Sequence, residues 1–294
     1  MRVLIIGRTG QVAHELQRAR WPQGLEPTFL GRNALDLARA EEARLRVAEH
    51  RPSVVINAAA YTAVDAAERE REQAFAVNRD GPAALAESCA KTAASLIQLS
   101  TDYVFDGLKR GAYEEDDPVH PLSAYGESKA AGEDAVRARL DRHIIIRTAW
   151  VYCPIGRNFV RTMLRLGAER DQLGVVDDQH GSPTSAAEVA RAAIAIAATL
   201  AEGRADAFGT YHFCGAGATT WYGFARTIFA GAKERGMRVP GVVTPITTAQ
   251  YPTPAKRPMN SVLSSEKIGR AFGVVARPWQ DALSDCLDAI AAVR

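Results

Sequence analysis

One stretch limits the fold more than any other. Arg2-Val-Leu-Ile-Ile6 runs directly into Gly7-Arg-Thr-Gly10-Gln-Val-Ala13, and His14 to Ala19 continues with a helical pattern. A short apolar run without alternation suits a strand buried on both faces, which is the habit of parallel sheets. A glycine loop between such a strand and a helix is the context in which a dinucleotide is held. Gly7 permits the tight turn, and Gly10 lets backbone approach a pyrophosphate. Ala13 stands where a third glycine is common, and its small side chain suffices for close helix packing.

The same alternation continues along the chain. Strands are expected at Pro27–Leu30, Ser53–Asn57, Ala94–Leu99 and His143–Arg147. Helices are expected over Glu41–His50, Val64–Ala74 and Val77–Lys91, with Asn78 and Gly81 interrupting, and at Tyr125–Lys129 behind Ser123 as N-cap. The fold class is therefore α/β: a Rossmann-type doubly wound parallel sheet with a smaller, interleaved C-terminal α/β substrate domain. Residues 1–150 form the cofactor domain, with 171–200 returning to it, and 151–170 with 201–294 mainly form the substrate domain. Helices at Asn158–Arg170, Ala186–Leu200 and Trp279–Val293 and a strand at Leu173–Val176 populate the second half. Asp106–Pro121 reads as a loop partly covering the site.

Chemistry should gather where the parallel strands end. The second strand closes with Gly31-Arg32-Asn33, which lacks the carboxylate that would hold ribose hydroxyls. Arg32 could pair with a 2′-phosphate, giving a preference for NADPH over NADH; a solvated surface arginine is the other reading. The third strand ends in small residues, Ala58-Ala-Ala60, against which a flat cofactor can lie. The fourth delivers Ser100-Thr101-Asp102 to the same edge. Tyr125 and Lys129, four apart, share a helix face, where an ammonium should lower a phenol toward the working range. Most Tyr-x-x-x-Lys pairs are plain helix surface, so the weight lies in the combination.

Composition excludes several classes. A formal charge of +2 with no basic run gives no reason to propose nucleic acid or an acidic membrane surface. No apolar run approaches the roughly 20 residues that cross a bilayer. The four cysteines and six histidines show no metal-ligand spacing. Reduced thiols and a cytoplasmic location are expected, and an opening strand that carries a functional loop is unlike a signal peptide.

The glycine loop, the strand-four Ser-Thr and the Tyr-x-x-x-Lys helix, in this order, resemble the extended, nucleotide-sugar-modifying branch of the short-chain dehydrogenase/reductase superfamily. Within it the chain resembles the dTDP-4-dehydrorhamnose reductase family. The matching segments run nearly end to end: Gly7–Val12, Asn57–Ala60, Thr62–Asp65, Ser100–Phe105, Arg147-Thr148, Trp150–Tyr152, Asn158-Phe159, Asp178-Gln179, Thr219–Trp221 and Tyr251–Pro258. Ala149, where a serine is usual, is a departure.

The resemblance implies that hydride from NADPH reaches C4 of dTDP-4-dehydro-L-rhamnose, giving dTDP-L-rhamnose. Tyr125 would be the proton donor, Lys129 would hold the nicotinamide ribose and Thr101 would orient the reacting oxygen. It implies cofactor contacts from Gly7, Thr9, Gly10, Gln11, Val12, Arg32, Asp36, Leu37, Ala58, Ala59, Ala60, Tyr61 and Thr62. It implies sugar-nucleotide contacts from Thr101, Asp102, Val104, Phe105, Trp150, Asn158 and Arg257, the last at the diphosphate. It further implies a homodimer with Mg²⁺ bridged by Glu15, Glu188 and Asp288, although Asp288 stands where a Glu is expected. A dehydratase of the branch needs an Asp-Glu pair after the strand-four Thr, and here Thr101-Asp102 is followed by Tyr103. The alternatives are another nucleotide-sugar reductase or epimerase, or a regulatory subunit like that of methionine adenosyltransferase.

Overall fold

A computed structural model describes residues 1–203 and 207–293. The first half alternates as expected. It runs β1 (Arg2–Ile6), α1 (Gln11–Arg18), β2 (Glu26–Leu30), α2 (Ala40–His50) and β3 (Val54–Asn57). Two short helices follow, α3 (Val64–Ala67) and α4 (Arg71–Phe75), then a π-helical turn (Ala76–Asp80) leading into α5 (Gly81–Thr92). Next come β4 (Ser95–Thr101), α6 (Ala124–Arg137) and β5 (His143–Thr148).

The second half begins with β6 (Val151–Tyr152), α7 (Phe159–Glu169) and β7 (Gln172–Val176). It continues through β8 (His180–Gly181), β9 (Thr184–Ser185), α8 (Ala186–Ala201), β10 (Gly209–His212) and β11 (Thr219–Thr220). It closes with α9 (Trp221–Glu234), β12 (Val242–Ile246), α10 (Glu266–Phe272) and α11 (Trp279–Ala291).

Six strands form the central sheet in the order β10-β5-β4-β3-β1-β2, every pair parallel. The order reverses at β1 and β3, and ligands bind at such a switch point in open α/β sheets. Each face is covered. Ile5, Ile56 and Ile146 pack with α8 on one side, while Leu4, Val55, Leu96 and Ile145 pack with α2 and α5 on the other. Burial on both faces explains the unbroken apolar runs, and each such side chain contributes about 1.5–3 kcal/mol.

The two parts of the molecule interleave more finely than the expected bounds. β7 lies in 171–200, yet it pairs with β12 beside the core of α7, α9 and α11. Conversely β10, from 201–294, joins the central sheet alongside β5. Within the latter range, residues 204–206 and 294 lie outside the described residues. The 106–121 loop is stitched to the C-terminal part, since Tyr113 N donates to the Val262 carbonyl at 2.7 Å.

The interruption expected at Asn78 and Gly81 takes the form of the π turn between α4 and α5, and a further break falls at 68–70. Asn78 sits in the π turn, a device that inserts one residue and redirects a side chain. Its amide crosses to the Ala58–Thr62 segment, as described below.

Candidate active site

The glycine loop is built for an anion. Gly7 has φ +118°, a conformation that L side chains rarely adopt, and a Cβ there would press on the Ala58 carbonyl. α1 opens at Gln11 with Gly10 as its N-cap, no side chain caps it, and its first turn carries no acidic residue. Its first amides are thus free for a phosphate at the positive end of the helix dipole. Ala13 is fully buried on α1, the helix that packs against α8, and a small side chain suits that position. The residues present therefore fit a dinucleotide.

Asn57 orders the neighbouring loop by donating to Gln98 at 2.8 Å and accepting from Ala59 N at 3.2 Å. Asn78 accepts from Tyr61 N at 2.9 Å and donates both to the Tyr61 carbonyl at 3.0 Å and to Ser128 Oγ at 2.9 Å. Ser128 Oγ donates in turn to the Tyr125 carbonyl at 2.8 Å. One amide thereby ties the Ala-Ala-Ala loop to the Tyr125 helix. Neither Asn78 nor Ser128 carries a signal in the sequence that marks it as a site residue; the one hint is the asparagine within an expected helix.

α6 starts where Ser123 Oγ accepts from Gly126 N at 3.2 Å. Tyr125 is buried, with Tyr103 edge-on to its ring at 5.5 Å. Burial pushes the phenol up to about 12; the Thr101 hydroxyl pulls it down and the Asp102 charge pushes it up. The expected lowering by Lys129 is absent. That ammonium donates to the Leu99 carbonyl at 2.7 Å, and burial pulls it down to about 8 against the opposing pull of Glu133. A phenol held high is protonated at neutral pH, the state a proton donor requires.

Thr101 Oγ1 donates to Asp102 Oδ1 at 2.9 Å and accepts from Tyr103 N at 3.2 Å. Asp102 is buried, and its Oδ2 has no hydrogen-bond partner. Burial pushes its carboxyl up to about 6, against the Ser261 and Thr101 hydroxyls. An unpaired buried acceptor at this edge suits a sugar hydroxyl. Trp150 adopts φ +47°, which is rare for an aromatic residue and costs on the order of 1–3 kcal/mol. Its indole stacks on Trp221 with centroids 3.4 Å apart and donates to Ser261 Oγ at 3.1 Å.

Several expected contacts are placed elsewhere. Val104 and Phe105 are fully buried, with Phe105 stacked on Tyr113 at 4.2 Å, so their side chains belong to the core rather than to the sugar. Leu37 packs in the core under α2 and α5. The Asn158 amide is fully used as the N-cap of α7. It accepts from Arg161 N and donates to Gln11 Oε1 at 3.0 Å and the Cys153 carbonyl at 2.8 Å, bracing the glycine loop. Arg257 forms a fork with Asp65 at 3.1 and 2.9 Å. By contrast Arg32, which pairs with Asp36 at 3.3 Å, and Thr9 and Thr62 are exposed, as a cofactor contact requires.

The expected cation ligands do not converge. Glu188 is buried against Arg191 and Arg277, whereas Asp288 is exposed and bound by Arg235 at 2.8 Å. Glu15 joins Glu188 in lining a groove, but the α11 carboxylate there is Asp285. Among the described residues no group of three His, Cys, Asp or Glu is placed to hold a metal ion.

Comparison with known proteins decides the lineage, because residues 1–292 match the family model described as the RmlD substrate binding domain. The chain belongs to the RmlD family. RmlD relatives include the dTDP-4-dehydrorhamnose reductase of Sinorhizobium fredii, 44% identical over 96% of this chain and 95% of the relative. The Escherichia coli reductase of the same name is 41% identical over 95% of each chain. Among solved RmlD structures, the Clostridium acetobutylicum reductase superposes with a TM-score of 0.90 at 38% identity, covering 99% of both chains. The Bacillus anthracis reductase, solved in complex with NADP, gives 0.88 at 35% identity over 98% of this chain and 99% of that one.

Proposed function

We infer that this chain is an NADPH-dependent dTDP-4-dehydrorhamnose reductase, which reduces the C4 ketone of the dTDP-sugar to the alcohol. The observation that carries the reading is the buried Tyr125 facing the Thr101 hydroxyl at the edge where the glycine loop opens. Near end-to-end identity to reductases of that name supports the substrate, and the NADP bound to the Bacillus anthracis relative supports the cofactor.

The loop of Gly7, Gly10, Gln11 and Val12 would hold the pyrophosphate, and Ala58 to Thr62 the flat adenosine and ribose side. Bound there, the nicotinamide supplies hydride to C4. Tyr125 gives its proton to the developing alkoxide, which is more basic than a phenolate, and Thr101 hydrogen-bonds the same oxygen. Lys129 holds the ribose hydroxyls as a donating ammonium. Asp102 orients the sugar through its free oxygen, Trp150 forms a wall, and Arg257 reaches the diphosphate by leaving Asp65.

A cytoplasmic homodimer accompanies this reading. The four cysteines are buried and unpaired, as a reducing compartment permits, and no described helix is long and apolar enough to cross a membrane.

The test supplies enzymatically made dTDP-4-dehydro-L-rhamnose with NADPH or NADH to the wild type and to Arg32→Ala. Stoichiometric oxidation of NADPH with dTDP-L-rhamnose in the NMR spectrum is expected, together with a lower NADPH:NADH ratio of kcat/KM in the variant. No turnover, with co-purification of a partner enzyme, would replace catalysis by a regulatory role. An unchanged ratio would remove Arg32 from cofactor selection.

A further inference from the structure

Behind Lys129 lies a buried charge network that the reaction scheme does not use. Glu133, one helical turn beyond Lys129 on α6, is fully buried. It accepts from Ser100 Oγ at 2.6 Å, from Arg137 Nη2 at 2.7 Å, and from Arg147 Nη2 at 2.7 Å and Nε at 3.0 Å. Arg147 is itself buried on β5. It lies over the Phe105 ring at 5.1 Å and faces His212 Nε2 at 3.4 Å. Fixing three polar side chains around one carboxylate beneath the sheet edge costs more than an apolar core would, so the network calls for a reason beyond stability.

We propose that Glu133 is a positioning residue for the reduction: held as a carboxylate by Arg147, Arg137 and Ser100, it keeps the Lys129 ammonium charged beside Tyr125. Two sites of α6, four residues apart, lie on one face of the helix, so the carboxylate acts along that face toward the ammonium. Lys129 has exchanged water for a single carbonyl, that of Leu99, and burial works against its charge. Glu133 is the group that counters this, while its own partners hold it below the usual carboxylate range in spite of burial.

The groups around the pair are few. On α6 they are Tyr125 and Arg137, on β4 Ser100 and Thr101 with Asp102 just beyond, on β5 Arg147 and on β10 His212; around His212 stand Glu115 and Asp117 of the 106–121 loop and Lys267 of α10. Burial and Arg147 pull His212 down to about 3, so it stays neutral across the working range and adds no competing charge. Arg137 and Arg147 both bond Glu133, so loss of the carboxylate leaves two guanidiniums without their anion.

The inference rests on the reading of Lys129 given above, and pH profiles separate the two. In the free enzyme, Lys129 loses its proton as pH rises, so kcat/KM with NADPH and the dTDP-4-keto sugar has an alkaline limb. Removing the Glu133 charge favours the neutral amine. In Glu133→Gln the limb should therefore move to lower pH by about one unit, the smaller end of what a neighbouring opposite charge does. Glu133→Asp, which keeps the charge, should retain the wild-type limb.

Since Glu133→Gln strands a buried guanidinium, the double variant Glu133→Gln/Arg147→Met removes both charges together. A purely structural role predicts that a folded double variant regains the wild-type limb; a positioning role predicts that the limb stays displaced. Ser100→Ala leaves every charge in place, since Arg137 and Arg147 still hold the carboxylate, and should keep the wild-type limb; a limb displaced there would trace the effect to packing rather than to charge and overturn the proposal. An unmoved limb in any folded variant lacking the Glu133 charge also overturns it. Lys129→Met is the control: if it keeps wild-type kcat and NADPH affinity, the site reading itself fails rather than the role of Glu133.

Discussion

In the proposed mechanism Tyr125 acts as an acid because of where it sits rather than because of the cation beside it. Burial holds the phenol near 12, and the Thr101 hydroxyl is the group that eases proton release. Tyr125→Phe removes the proton but keeps the ring against Tyr103, so NADPH affinity should stay close to wild type. The loss in kcat should be about 10²–10⁴-fold, the size of a general-acid contribution. Stopped-flow measurement of both quantities checks this, and near-normal turnover would assign the proton to another group. The Tyr125–Lys129 spacing was readable because helical period puts the two on one face. The displacement of Lys129 onto the Leu99 carbonyl was not, since it depends on a strand 30 residues away. Val104 and Phe105 show the opposite error: neighbours of a site residue in sequence turned inward to the core.

At the scale of elements, the site depends on how closely α6 approaches the π turn. A Cβ at Gly132 would collide with the backbone carbonyl of Asn78, so glycine is what allows the Asn78 side chain to reach both Tyr61 and Ser128. Gly132→Ala gains up to about 1 kcal/mol of helix propensity but must push two backbones apart. Overpacking of this kind costs about 1–3 kcal/mol, more in rigid backbone, so a net loss of stability is expected. A lower urea midpoint with unchanged slope would register it; a higher midpoint would mean that the helices do not meet there. Strands and main helices were legible from apolar runs and period. The π turn was not, because its extra residue is selected by contacts with Tyr61 and Ser128 rather than by local propensity.

At the scale of the whole molecule, links from distant sequence close the site. Asp65 meets Arg257 across 192 residues, and Gln11 meets Asn158 across 147. The outer groove of α1, α7, α8 and α11 carries Glu15, Glu188 and Asp285 among apolar residues such as Leu164 and Ile290. With Glu188 and Asp288 each held by arginines, a dimer of this chain should elute at the same volume with EDTA as with Mg²⁺. Size-exclusion chromatography with light scattering tests this; dissociation by EDTA would restore a bridging cation, and a monomer under both conditions would remove the dimer.

The sequence by itself determined the parallel sheet and the dinucleotide loop at its switch point, and it pointed to the candidate reacting side chains. These depend on local signals: apolar runs, glycines between strand and helix, and a four-residue spacing. Tertiary structure alone decided which neighbours are core and which face the site. It also decided that burial rather than Lys129 governs Tyr125, and that Glu133 lies behind Lys129 with two arginines. Desolvation and charge pairing depend on what surrounds a group in space, and chain order does not carry that information.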